Sequence, residues 1–335
     1  MIKDTKRDYR LTARELGGLL KLPMSSLRVM TEKFSGFSPI NLQEKIPYSV
    51  IREILIKLGV SFDDKRVSFV NLKGGVGKTT LTVTLAVRAV QFGFRVAVID
   101  MDPQASASVA FQCEPEDNDP IFLDIWKKPE SLMFPALRTI DESFVMLPSS
   151  LDNSLLDSSL ASPVHQKTAV SKVCDILTGR GYDLILIDCP PSLGTAVVSS
   201  ICASDTLVIP VTNDPFSLKG LELTLREVSS IREAFGLSQP DIRILFNRYD
   251  RRERMTDVAW KTVMANHGKE LHAEPIPTST LFSRALNKSS TLFDLPETHP
   301  AKEAYDSFFH SLVGISLKEI QKKAHNEFKR SRKKD

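Results

Sequence analysis

Between the apolar run Val67-Ser68-Phe69-Val70-Asn71 and a stretch of helical patterning from Thr79 to about Phe92 lies Leu72-Lys73-Gly74-Gly75-Val76-Gly77-Lys78-Thr79-Thr80. A glycine-rich turn that leaves a strand and opens a helix can curl its backbone so that several N–H groups converge on an anion. The helix N-terminus adds the positive end of its dipole. In such a loop Lys78 bridges the β- and γ-phosphates of a nucleoside triphosphate, and the Thr79 hydroxyl holds Mg²⁺. The ordinary spacing has glycine where Leu72 stands, so this is a variant loop that carries a second lysine, Lys73, inside it.

Two acidic strand ends complete the set. Val98-Ile99-Asp100-Met101-Asp102-Pro103-Gln104 closes one apolar run with two acids, and Ile185-Leu186-Ile187-Asp188-Cys189-Pro190-Pro191-Ser192 closes another with one. At the carboxyl ends of parallel strands these acids face the nucleotide crevice. Asp100 and Asp102 make sense there beside Mg²⁺, or with one of them orienting an attacking water; Asp188 is placed to bind the metal shell through water.

Such residues need a scaffold, and the remaining pattern supplies one. Near-continuous apolar strands (Val67–Asn71, Arg95–Asp100, Tyr182–Asp188, Thr206–Val211 and Ile242–Asn247) alternate with helical stretches. That is the signature of an α/β fold with a doubly wound, mostly parallel sheet covered on both faces. Residues 1–64 read instead as short helices. Thr12 caps the first, with Glu15 three residues on; Lys21-Leu22-Pro23 ends it; a second runs from Met24 to Met30 with Ser25 as its expected cap; a third runs from Tyr48 to Leu58. The expected division is therefore 1–64, a small all-α domain; 65–317, the nucleotide-binding domain; and 318–335, a basic tail.

Composition agrees. With 335 residues, 42% hydrophobic and 25% charged, the chain is neither collagen-like nor wholly disordered. No apolar run approaches the ~20 residues that span a bilayer. Met1 to Arg10 carries no apolar stretch of the signal-peptide kind, and Cys113, Cys174, Cys189 and Cys202 show no paired spacing, so a cytoplasmic chain with reduced thiols is expected. Lysine and arginine exceed acids by 11 to 8 in residues 1–64 and by 8 to 3 in 318–335, while 65–317 is mildly acidic with 25 against 30. Basic ends suit an anionic polymer or surface.

The ordered set Lys73–Thr80, Asp100–Gln104 and Ile187–Gly194 resembles the ParA/MinD group of deviant Walker ATPases. Leu147–Asp152 and Pro210-Val211 through Leu218–Leu221 resemble the partition ATPases within it. The resemblance spans about Lys65 to Ile315. It implies a P-loop NTPase fold, ATP and Mg²⁺ as cofactors, and an ATP-dependent homodimer. Lys73 would be the signature lysine that reaches the partner's nucleotide; Lys73, Gly74, Gly75, Val76, Gly77, Lys78, Thr79 and Thr80 would cradle it. Lys73, Lys78 and Asp102 would be catalytic, with Asp102 orienting water, and Thr79, Asp100 and Asp188 would serve the metal. Asn247, with Pro277, either meets the adenine or belongs to an ordinary strand-end loop. Cys189 invites comparison with an iron–sulfur relative, but the other cysteines do not follow motif strands.

Thr12 to Lys33 resembles a MerR-like helix-turn-helix, in which Ser25, Ser26 and Arg28 would face DNA. Lys21 stands where such turns carry glycine, so the turn is built on Pro23 or on a left-handed lysine. Long plasmid-type ParA proteins use such a module on their own operator. Arg251, Arg252 and Arg254, and then Arg284 and Lys288, sit near positions through which family members hold DNA without sequence preference; a solvated loop is the competing reading. The implied function is a DNA-partition ATPase, nucleoid-associated and stimulated by a ParB-like centromere-binding protein. Two alternatives stand beside it: an ATP-tuned repressor and a MinD-like membrane ATPase. For the last, only Leu317, Ile320 and Phe328 offer an apolar face, so no stable membrane association is expected.

Overall fold

The computed structural model describes residues 7–286, 291–295 and 298–331. The chain opens with α1 (Ala13–Leu20), α2 (Met24–Ser35) and α3 (Tyr48–Lys57), then β1 (Lys65–Phe69), α4 (Lys78–Gln91), β2 (Val96–Asp100) and α5 (Ser106–Phe111). Two short helices, α6 (Phe122–Ile125) and α7 (Pro129–Ala136), precede the hairpin β3 (Arg138–Asp141) and β4 (Phe144–Leu147). After α8 (Leu156–Ser159) and α9 (Pro163–Gly179), β5 (Leu184–Asp188), α10 (Thr195–Ala203), β6 (Thr206–Val211), α11 (Pro215–Ala234) and β7 (Asp241–Phe246) complete the sheet. Then follow α12 (Arg254–His267), α13 (Leu281–Leu286), α14 (Pro300–Val313) and α15 (Leu317–Ser331).

The sheet has seven strands in the order β3-β4-β2-β5-β1-β6-β7, parallel throughout except for β3 against β4. The doubly wound, mostly parallel sheet expected from the strand pattern is therefore present. The β3–β4 hairpin is an addition. Arg138-Thr139-Ile140-Asp141 is a four-residue edge strand without a continuous apolar run, so period alone gave no signal for it.

Side chains alternate between the two faces of the sheet. Val67, Phe69, Val98, Leu186 and Val208 join one apolar cluster, and Ile99, Ile185, Ile187, Leu207 and Ile209 the other. The first cluster also takes in Leu16, Leu20 and Leu27 of α1 and α2, Ile51, Ile54 and Leu55 of α3, and Tyr305, Phe308 and Phe309 of α14. The N-terminal helices thus share one core with the sheet. Two Arg52 nitrogens donate to the two Asp183 oxygens at 2.6 and 2.9 Å, and Tyr48 donates to Asp141 at 2.7 Å. The backbone of α3 lies so close to the Gly93 turn (φ +77°) that a Cβ there would sit 2.9 Å from the Arg52 nitrogen.

Local signals in the first 60 residues are mostly kept. Thr12 and Glu15 form a reciprocal capping box, and Lys21 takes the left-handed conformation (φ 52°, ψ 42°) that closes the turn. The cap of α2 is corrected: the helix starts at Met24 behind Pro23, with no side-chain cap, and Ser25 lies inside its first turn. Residues 317–331 form a helix, α15, whose Ile320 and Ala324 are buried in the core shared with α1 and α2. Gln321 donates to Leu19 O at 2.8 Å, and Lys33 pairs with Glu327 at 3.1 Å. Among the described residues no helix is long and apolar enough to cross a membrane.

Candidate nucleotide site

Asn71, just beyond β1, anchors the loop. Its Nδ2 donates to Pro210 O at the end of β6 (2.7 Å), and its Oδ1 accepts from Lys73 N (2.9 Å). Two glycines make the curl: Gly75 has φ +73° and Gly77 φ +102°. At Gly77 a Cβ would also run into the Asn247 amide, so glycine is required twice over. Lys78 opens α4 and is buried; its ammonium donates back to Asn71 O and Lys73 O, both at 3.2 Å. Burial lowers its pKa, and the charge of Asp188 works against that.

The acids lie at neighbouring strand ends because β2 and β5 run in parallel register, with Asp100 beside Asp188. Both are fully buried. Asp100 Oδ2 accepts from Ser108 N (3.0 Å) and Ser108 Oγ (2.7 Å), while Oδ1 accepts from Asp102 N (3.1 Å). Burial pushes Asp100 up to about 6 even so. Asp188 is raised well above the usual carboxylate range by burial and by Asp100, with the Thr79 hydroxyl opposing. Its Oδ1 accepts from Thr82 Oγ1 at 3.3 Å, and its Oδ2 is buried without a partner among the described residues.

An orphaned carboxylate oxygen beside the Thr79 hydroxyl fits a hydrated Mg²⁺, an ion that keeps several waters and takes few protein oxygens. Among the described residues no group of three or more His, Cys, Asp and Glu gathers to hold a metal ion. Asp100 is the poorer metal candidate, since both its oxygens are occupied. Asp102 lines a cavity of about 330 Å³ with Gly74, Lys78, Thr79 and Pro191, and its Oδ1 accepts from Gln104 N at 2.9 Å.

Lys73 lies at the mouth of this cavity's loop, one third exposed, and is ion-paired with Asp214 of its own chain. Asp214 caps α11, accepting from Ser217 N (3.0 Å) and from Thr212 Oγ1 (2.6 Å). Pro277 lines an adjoining cavity of about 270 Å³. Asn247 lines it too, but its amide is spent on Val76 O (2.8 Å), where it props the loop.

The residues expected to face DNA are scattered. Ser25 is exposed at the start of α2, but Ser26 is fully buried, so it cannot reach a base; this corrects the sequence reading. Helical geometry turns Ser26 inward beside Leu27. Arg28 is exposed, yet its guanidinium donates to Pro39 O (2.6 Å) and to Ile40 O. Arg251 and Arg252 lie on the surface before α12, and Arg254 is exposed at its first position; Arg252 pairs with Asp250 at 2.6 Å and holds that carboxyl down at about 2. Arg284 is exposed on α13, and Lys288 lies outside the described residues. All four cysteines are free and buried.

Sequence reasoning missed Asp214 and Tyr305. Asp214 reads locally as a helix cap before proline, which it is. Tyr305 carries no sequence signal at all, since only packing brings it near the loop.

A family model described as an AAA domain matches residues 64–244, just over half of the chain. The chain is 27% identical over 228 residues to the chromosome partitioning protein ParA of Caulobacter vibrioides, covering 67% of this chain and 85% of that one. It is 27% identical over 242 residues to the chromosome-partitioning ATPase Soj of Thermus thermophilus, covering 72% and 92%. Among solved structures, the ATP complex of Cyanothece McdA superimposes with a TM-score of 0.68 at 21% identity, covering 76% of this chain and 97% of that one.

Proposed function

Because the chain belongs to the AAA domain family and is a ParA-type ATPase that uses ATP and Mg²⁺, we propose that it moves DNA by an ATP-driven dimer cycle. Two copies close face to face over two ATP molecules and bind DNA without regard to sequence. A ParB-like protein on a centromere site stimulates hydrolysis and release. Residues 65–317 carry the cycle, and residues 1–64 read operator DNA through the exposed start of α2.

The observation that carries this reading is the pair of lysines. Lys78 is buried, while Lys73 is one third exposed and, among the described residues, its ammonium pairs with Asp214. Two ammonium groups crowded on one phosphate repel unless each has its own anion. Lys73 therefore suits the phosphates of a partner's ATP, where it acts as an arginine finger does on charge developing in trans. Thr79 and Asp188 would hold Mg²⁺, which neutralises charge on the β- and γ-phosphates. Lys78 and the loop N–H groups grip those oxygens, and Asp102 orients the water.

A second reading, an ATP-tuned repressor, draws on the core shared by the N-terminal helices and the sheet, which couples them mechanically. Membrane docking lacks a surface, because the apolar face of α15 is already packed on α1 and α2. The test is DNA binding by the full chain with ATP, with ADP and with no nucleotide. The reading requires ATP-dependent binding to random-sequence DNA; operator binding alone would favour the repressor, and no binding in any state overturns both.

A further inference from the structure

The phosphate cavity and the adjoining cavity share Gly77, Thr80 and Arg248. They form one crevice with a phosphate end and a nucleoside end, and Arg248 lies at the junction, held in the left-handed conformation (φ 57°). The nucleoside end is walled by Pro277 and Phe282, and some of its polar groups are already committed. Asn247 Nδ2 is spent on Val76 O at 2.8 Å. Thr278 N donates to Tyr249 O at 3.0 Å, and Ser279 Oγ accepts from Leu281 N at 3.1 Å. Tyr305 differs: it is fully buried, it lines this end, and its hydroxyl has no hydrogen-bond partner among the described residues.

We propose that the Tyr305 hydroxyl reads the adenosine end of ATP, an inference that rests on ATP occupying this crevice. A buried hydroxyl left unpaired costs stability, so an unpaired one beside a ligand cavity is explained by a ligand that pairs it. A phenol can donate to an adenine ring nitrogen or accept from its amino group, and the surrounding apolar walls make that bond selective. Burial raises the hydroxyl's pKa, with the charge of Arg248 opposing, so Tyr305 offers a neutral O–H. Its ring is held against Phe282, 5.5 Å away, and by the core it shares with Phe308 and Phe309.

The sign of the stability effect separates this role from simple packing. A hydroxyl that serves the fold costs stability when removed; one that waits for a ligand costs none. The experiment compares wild type with Tyr305→Phe, measuring Kd for Mg²⁺·ATP and for Mg²⁺·tripolyphosphate, which probes the phosphate end alone. The thermal midpoint without nucleotide is measured in parallel. Tyr305→Phe should weaken ATP binding about tenfold, one hydrogen bond's worth, and leave tripolyphosphate binding and the midpoint unchanged or the midpoint raised. Unchanged ATP affinity, equal losses for both ligands, or a lowered midpoint overturns the role of Tyr305. A wild-type chain that binds ATP no tighter than tripolyphosphate instead overturns the placement of the nucleoside itself.

Discussion

Lys73 and Asp214 form an ion pair within one chain, joining the nucleotide loop to the cap of α11. The Asp214 carboxyl lies below its usual range: burial raises it, and the bonds from Lys73, Thr212 and the Ser217 N–H more than offset that. If Lys73 acts on a partner's nucleotide, this pair must break first, so Asp214 opposes dimer formation. Asp214→Asn keeps a capping oxygen while removing the charge. Because the pair is part-exposed, its contribution is at most about 1 kcal/mol, or roughly fivefold in association. Sedimentation with ATP should show the variant dimerising at lower protein concentration; unchanged or weaker association would remove the restraint.

Lys73→Ala should keep monomer ATP affinity within a few fold and lose ATP-dependent dimerisation and hydrolysis. Asp102→Ala should bind ATP and dimerise but not turn over. Mixed together, the two should form heterodimers with one composite site that has both groups. If the mixture shows no ATP-dependent association while each variant remains folded and binds ATP, Lys73 does not work across an interface.

The buried acids predict a pH dependence of definite sign. Asp100 sits at about 6 when folded, against about 4 unfolded, and Asp188 is raised as well. Between those values the folded chain holds protons that the unfolded chain has released. The contribution of Asp100 to stability therefore falls as pH rises from 4 to 6 and levels off above, and Asp188 acts in the same direction. Mg²⁺·ATP next to Asp188 favours the carboxylate over the protonated form that burial promotes, so binding should be accompanied by proton release. Calorimetry in two buffers of different ionisation enthalpy reads this directly, and proton uptake would contradict it.

Sequence-blind DNA binding is a counterion effect. Neutralising Arg251, Arg252 and Arg254 to Gln in the full chain should reduce the slope of log K against log salt by about one for each phosphate that is no longer neutralised. Basal ATP hydrolysis should not change. An unaltered slope would return these residues to a solvated loop.

The shared core predicts that the full chain melts in one cooperative transition and that residues 65–335 alone are markedly less stable. Removing residues 1–64 takes Phe62 from Phe94, strips Asp183 of Arg52, and leaves the apolar face of α15 unseated. Two separate transitions by calorimetry would show that the helices fold independently.

The sequence determined the parts whose physics is local. Glycine curl, lysine and threonine at the head of α4, and acids at strand ends are dictated by neighbours along the chain. Hence the loop, the strand–helix alternation and the Thr12 cap were all legible. What only the tertiary structure decided involves partners distant in sequence. It placed Asp100 and Asp188 in register, gave one of them hydrogen bonds on both oxygens and left an oxygen of the other bare. It also turned Ser26 inward, set Asn247 against the loop, and seated the basic C-terminal residues on the N-terminal helices. The reason is physical: burial and hydrogen-bond satisfaction are properties of an environment assembled from the whole chain, and no window of sequence contains that environment.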